Sequence, residues 1–271
     1  MKKLLTILAI LVAGSLSMLG LAQAEEITIK GSTTVLPIAQ ATAEIFMDQN
    51  SDVDISVQGG GSGVGIASII DGTADIGDAS RAIKDKELSA AVSAGVNPKA
   101  HVVAMDGIAV VIHPSNGITA LSKQQVKDIY TGKITDWSKV GGNPGEIVVV
   151  SRDSASGTYE AFHGLALNKE KFSKKALREA SNQAVVKVVS TTPGAIGYAG
   201  LGYLTNQVKT LTIEGVIPTV ETVLSGEYAY ARPLFMYTNG APKGVVKKYL
   251  DFIKSKEGQK IVSEQGFVAL K

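Results

Sequence analysis

The 271-residue chain contains no cysteine, which removes disulfide frameworks, cysteine nucleophiles, Cys-based zinc or iron–sulfur sites and a lipid-modified N-terminal cysteine. Charge is sparse and balanced: 27 Lys and Arg face 25 Asp and Glu, for a formal +2. Nucleic-acid binding driven by counterion release needs a concentrated basic face, so this balance argues against a general nucleic-acid binder. Aromatic residues make up only 6%, with Trp137 alone of its kind and the tyrosines too scattered to form a base-stacking platform. His101, His113 and His163 show no metal-ligand spacing. No cofactor motif is present either: the glycine run at 59–65 lacks G-x-G-x-x-G, and nothing matches G-x-x-x-x-G-K-[ST]. Ser62 is not in a G-x-S-x-G elbow, because position 64 is Val.

What is present is ordinary globular chain, 45% hydrophobic and long enough to bury a substantial core. The N-terminus has its own character. Lys2 and Lys3 precede an almost uncharged apolar stretch, Leu4 to Leu21, and Ala22-Gln23-Ala24 then offers small residues at both specificity positions. These three parts predict a secretory signal peptide over residues 1–24, cleaved after Ala24; an uncleaved anchor is the alternative. Beyond it, no segment approaches the roughly 20 apolar residues of a membrane span. Removing the leader takes away two basic residues and no acid, leaving 247 residues with 25 of each sign. An exported, cysteine-free protein without a lipid anchor is expected in a bacterial periplasm.

Hydrophobic periodicity then alternates between two and 3.6. Ile27-Thr28-Ile29 reads as a strand, Pro37 to Asp48 as a helix, and Val53, Ile55 and Val57 as a second strand; a helix runs to Ile70 and a short strand follows at Ala74 to Gly77. Helices are expected at 84–94 and 121–130, with two apolar strand runs, Val102 to Ala104 and Ile108 to Ile112, on either side of Asp106-Gly107. A second unit comprises a strand at Ile147 to Val150, a loop and a helix to Leu165, a charged helix near Lys169 to Ala180, another at Ala184 to Val189, and a strand entered through Pro193 to Tyr198. A late strand at Leu234 to Tyr237 and two helices close the chain. This order predicts an α/β protein of two lobes, each a mainly parallel sheet flanked by helices, joined by crossing strands. Lobe 1 is expected over 25–105 plus 232–271 and lobe 2 over 106–231.

Three hydroxyl- and glycine-rich loops each follow a strand and precede a helix, which puts them at the carboxyl ends of the strands, where α/β folds bind ligands. Helix N-termini there present unpaired N–H groups and partial positive charge. Ser32, Thr33, Thr34, Ser62, Ser156 and Thr158 can add hydroxyl donors, and Gly61, Gly63 and Gly157 allow close backbone approach. Arg152 adds a planar fork able to engage two oxygens of an anion. Each feature also has a plainer explanation: Ser and Thr cap helices, glycines make turns, and Arg152 can be a surface residue paired with Asp153.

At these loops the sequence resembles the phosphate-binding proteins of bacterial phosphate ABC transporters, through Gly31-Ser32-Thr33-Thr34-Val35-Leu36-Pro37, Gln58 to Gly63, Ala74-Asp75-Ile76-Gly77, Ile129 to Trp137, Arg152 to Thr158 and Gly194-Ala195-Ile196-Gly197-Tyr198. The resemblance implies a type II periplasmic-binding fold, with the dehydrated anion trapped in the cleft between closing lobes. It places phosphate against Thr33 and the backbone of Thr34, against Ser62, and against Arg152 with Ser156, Gly157 and Thr158. It also implies a non-catalytic, monomeric receptor with no cofactor, serving a membrane permease and a cytoplasmic ATPase. The sequence departs from the family at Ser80, flanked by Asp78 and Arg81, where an Asp normally accepts the proton of hydrogen phosphate. The Asp usually two residues beyond the site arginine stands here at Asp153. The first departure keeps sulfate, molybdate or tungstate open as ligands. A secreted phosphoesterase using Ser62 or Ser156, and a surface adhesion or signalling protein reusing the fold, are the readings from other classes.

Overall fold

The computed structural model describes residues 24–271; the expected leader lies outside the described residues except for Ala24. β1 (Glu25–Gly31) pairs in parallel with β2 (Val53–Gly59) and β3 (Ile76–Ala79), and the crossovers are α1 (Leu36–Gln49) and α2 (Ser62–Ile70). Pro37 in the first turn of α1 costs no hydrogen bond, because the N–H it lacks would have no intrahelical partner. α3 (Asp85–Ser93) leads into β4 (Pro98–Ile112), a single 15-residue strand. The two strand runs expected around Asp106-Gly107 are therefore one element. Its first part pairs antiparallel with β11 (Ala231–Asn239) and its last part antiparallel with β8 (Ala195–Gly200).

Beyond β4 come β5 (Ala120–Leu121), α4 (Lys123–Thr131), β6 (Val148–Arg152), α5 (Gly157–Leu165), β7 (Leu177–Glu179) and α6 (Asn182–Thr191). Ser122 and Gln125 form a capping box at the start of α4, and Gly132 ends it in the left-handed region. The charged helix expected near 169–180 is absent. Asn168 and Lys169 adopt positive φ, and Leu177 to Glu179 extend to pair in parallel with β6. Sheet pairing has overridden helix propensity there. After β8 come β9 (Lys209–Thr210), β10 (Thr212–Ile213), the short α7 (Val220–Leu224) and β11; α8 (Gly244–Lys254) and α9 (Lys256–Glu264) close the chain. Among the described residues no helix is long and apolar enough to cross a membrane.

The main sheet runs β2-β1-β3-β11-β4-β8-β6-β7, with β9 added on β4. It is a mixed sheet: parallel at both flanks and antiparallel in the middle, where β4 and β11 carry the chain across. Two large apolar clusters sit on either side of these strands. One draws on residues from Ile27 to Ala104, with Leu234 to Phe267; the other spans Ile108 to Tyr230 and includes Val268. In the second, Tyr198 stacks on Phe162 with ring centroids 4.1 Å apart. Burying each such side chain contributes about 1.5–3 kcal/mol.

Candidate functional site

The three loops meet where the two cores face each other. Gly31 to Val35 leads from β1 into α1, Gly60 and Gly61 lead from β2 into α2, and Asp153 to Ser156 lead from β6 into α5. Across the gap, Gly63 N–H donates to the Ala155 carbonyl at 2.9 Å, and Thr34 Oγ1 lies 2.9 Å from Thr158 Oγ1. Tyr203 donates its hydroxyl to the Thr33 carbonyl, and Lys84 pairs with Glu160 at the rim. Burial pushes the Tyr203 phenol up to about 12, so it remains a donor at neutral pH. The molecule is closed: Ser32, Thr33, Thr34, Ser62, Ser80, Arg152, Ser156 and Thr158 are all buried.

Arg152 is the central cation and is only 1% exposed, so it is not a surface residue. No ion pair joins it to Asp153 among the described residues; Asp153 Oδ1 accepts from Ala155 N–H (2.8 Å) and Ser156 N–H (3.1 Å), which holds the loop. Arg152 Nε donates to the Glu179 carbonyl, Nη2 donates to the Ala180 carbonyl and to Thr33 Oγ1, and Nη1 is buried without a partner among the described residues. Burial holds its pKa below the ordinary guanidinium value, yet an arginine starts so high that it stays charged. Its backbone is fixed from the motif at 194–198: Tyr198 OH accepts from Arg152 N–H at 3.2 Å and bonds Ser151 Oγ at 2.9 Å.

The hydroxyls divide by task. Ser32 Oγ accepts from Thr34 N–H and Val35 N–H, and Ser156 Oγ caps α5 by accepting from Tyr159 N–H. Both serve the turns that present the site, and Thr34 N–H is thereby occupied. Thr33, Thr34 and Thr158 cluster with Arg152. Ser62 Oγ accepts from Ser80 N–H at 2.9 Å and lies 3.3 Å from Ser80 Oγ. Gly157 is the point of closest approach: a Cβ there would overlap Ser62 Oγ and stand 2.6 Å from Ser80 Oγ. The N–H groups of Gly157 and Thr158, in the first turn of α5, have no intrahelical acceptor and add donors to the same point.

Sequence reasoning missed Arg232 and Asn182. Arg232, on β11, is buried and bonded to Asp106 of β4 through Nε (3.1 Å) and Nη2 (2.9 Å). Its Nη1 donates to the Ser80 carbonyl, and Nη2 also reaches Thr158 Oγ1 and Thr34 Oγ1. Burial raises the Asp106 carboxyl and lowers the Arg232 guanidinium; their mutual attraction opposes both shifts, and Leu201 N–H on Asp106 Oδ1 opposes the first. Asn182 opens α6, fully buried, and donates through Nδ2 to Thr33 Oγ1 and Thr34 Oγ1. Neither residue lies in a loop motif. The available signal was an arginine inside the otherwise apolar late strand, which is costly unless paired.

A cluster of oriented uncharged donors around a buried arginine suits a compact oxyanion. Ser62 Oγ is bonded by Ser80 and Ser156 Oγ by Tyr159 N–H, neither by a histidine or a carboxylate.

Comparison with known proteins bears on this geometry. Residues 20–257 match the family model described as the PBP superfamily domain. The phosphate-binding protein PstS of Bacillus subtilis (strain 168) is 38% identical over 247 residues, covering 89% of this chain and 80% of the relative. PstS of Borreliella burgdorferi is 32% identical over 257 residues, covering 90% of each. Among solved structures, a phosphate ABC transporter substrate-binding protein from Clostridium perfringens, with bound phosphate, superposes with a TM-score of 0.86 at 36% identity, covering 91% of this chain and 100% of that one. An ABC-type phosphate transport receptor from Vibrio cholerae gives 0.74 at 30% identity, covering 90% and 100%. The fold is that of the type II periplasmic-binding proteins, and the chain belongs to the PstS family of phosphate-binding proteins within the PBP superfamily.

Proposed function

We propose that this protein is the substrate-binding component of a phosphate ABC importer, a receptor that captures inorganic phosphate and performs no chemistry on it. The observation that carries the reading is the buried Arg152, its Nη1 unpartnered, set among hydroxyls and helix N-termini from both sides of the cleft. Burying a multiply charged anion is prohibitive unless such donors replace its water. The site residues are Thr33, Ser62, Ser80, Arg152, Gly157 and Thr158, with Ser32, Thr34 and Ser156 shaping the loops and the hydroxyl network around them. The lobes are 25–105 plus 232–271 and 106–231, with β4 and β11 as the hinge. Residues 1–24 act as the export signal, and the mature protein works as a monomer in the periplasm. Its closed surface presents phosphate to a membrane permease driven by a cytoplasmic ATPase.

A second reading rests on Ser80. The site lacks a fixed carboxylate at the position where the family pattern puts one, so a fully deprotonated oxyanion such as sulfate, molybdate or tungstate meets no built-in repulsion there. Calorimetric titration with phosphate and, separately, sulfate tests both readings. Phosphate binding with little sulfate binding supports the first; equal affinity for sulfate overturns its specificity.

A further inference from the structure

A threonine hydroxyl has two acceptor positions and one proton to donate, so filling both acceptor positions dictates where the proton goes. Thr33 Oγ1 receives Arg152 Nη2 (3.2 Å) and Asn182 Nδ2 (3.2 Å). Thr34 Oγ1 receives Asn182 Nδ2 (3.0 Å) and Arg232 Nη2 (3.3 Å). Arg232 Nη2 has two protons, one held by Asp106 Oδ2, so the other is shared between Thr34 and Thr158; with only donors on its other sides, Thr34 gives its own proton to Thr158 Oγ1 at 2.9 Å. Thr158 Oγ1, at 3.0 Å, takes the nearer share of that Arg232 Nη2 proton, so its acceptor positions face Thr34 and Arg232. The hydroxyl protons of Thr33 and Thr158, one on each side of the cleft, therefore have no acceptor left within this network.

The three groups imposing this order cannot reverse. Guanidinium groups have no acceptor, and Gly200 N–H facing Asn182 Oδ1 at 3.4 Å turns the Nδ2 end of the amide toward the threonines. Arg232 is anchored in turn by Asp106 and the Ser80 carbonyl.

We infer that Asn182 and Arg232 are positioning residues that lock the polarity of the threonine network, so that Thr33 and Thr158 present only donated protons to an oxyanion. This rests on the oxyanion-receptor reading and adds a specificity rule to it. The threonine side of the cleft accepts no proton, so any proton carried by the ligand must face the Ser62–Ser80 side.

Asn182→Asp tests the rule, since it keeps the shape and replaces a donor with an acceptor that draws the Thr33 and Thr34 protons away. Phosphate affinity is measured by calorimetry for the wild type, N182D, Thr33→Val and the double variant, with thermal unfolding as the fold control. N182D is expected to weaken binding by about 100-fold, and by at least about fivefold less when Thr33 is already Val, because the reversed hydroxyl is then absent. Simple repulsion by the new charge, or a structural role, would leave the two effects independent, and independent effects overturn the inference. If N182D fails to fold, a parallel cycle of Arg232→Lys with Thr158→Val, keeping the charge but losing the fork, decides between coupled and independent effects in the same way. Wild-type protein that binds neither phosphate nor sulfate would instead overturn the receptor reading beneath it.

Discussion

Thr34 and Thr158 lie on opposite sides of the cleft, 124 residues apart in sequence, and their hydroxyl oxygens are 2.9 Å from one another. That contact, with the Gly63–Ala155 and Tyr203–Thr33 bonds, defines a closed receptor whose donors are already aimed. Orienting the donors before the ligand arrives saves the ordering cost that otherwise subtracts from affinity.

Gly157→Ala should separate closure from folding. The added methyl collides with Ser62 Oγ and crowds Ser80 Oγ, side chains from the facing loops, while the helical backbone of α5 accommodates alanine readily. We expect a folded protein whose phosphate affinity falls by about 30-fold or more, a cost of roughly 2 kcal/mol for misfit at a closed interface. Calorimetry beside small-angle scattering checks this; tight binding with normal closure would contradict the geometry.

Ser80→Asp restores a fixed acceptor next to Ser62. Hydrogen phosphate can donate its proton to the carboxylate, whereas sulfate meets only repulsion. The preference for phosphate over sulfate should rise by at least about tenfold. Competition titrations at constant ionic strength measure the ratio, and an unchanged ratio would show that position 80 does not set specificity here.

Asp78 gives a pH-dependent prediction for stability. Its carboxyl is buried on β3, neither oxygen has a hydrogen-bond partner among the described residues, and burial raises its pKa well above the ordinary value. Below the unfolded-state value of about 3.9 the group is neutral in both states and costs nothing electrostatically. As the pH rises past that value the unfolded chain gains an ionised carboxylate that the folded chain resists, so stability declines until the folded-state pKa is passed. Asp78→Asn removes this decline. Its melting temperature should match the wild type near pH 4 and exceed it increasingly toward neutral pH; parallel curves across that range would refute the assignment.

The loops were legible in the sequence because each couples glycine and hydroxyl residues to a strand before and a helix after, a local pattern that survives any tertiary arrangement. The burial of Arg152 was not legible, since it depends on β7 bringing the Glu179 and Ala180 carbonyls alongside, and β7 itself exists only through pairing with β6. The continuity of β4 through Asp106-Gly107 was hidden for a similar reason. Asp106 is tolerated inside a strand because Arg232, from a strand 126 residues away, neutralises it. Asn182 looked like an ordinary residue at a helix start, and only the fold aims its amide at two threonines.

The most direct test of the receptor account is calorimetric titration of the purified protein with inorganic phosphate, set against Arg152→Ala. The account predicts one phosphate bound per chain by the wild type and a loss of at least about 100-fold in the variant, with folding preserved, because a charge-assisted contact to a buried anion has been removed. Unchanged phosphate affinity in folded Arg152→Ala, or no binding by the wild type, would contradict it.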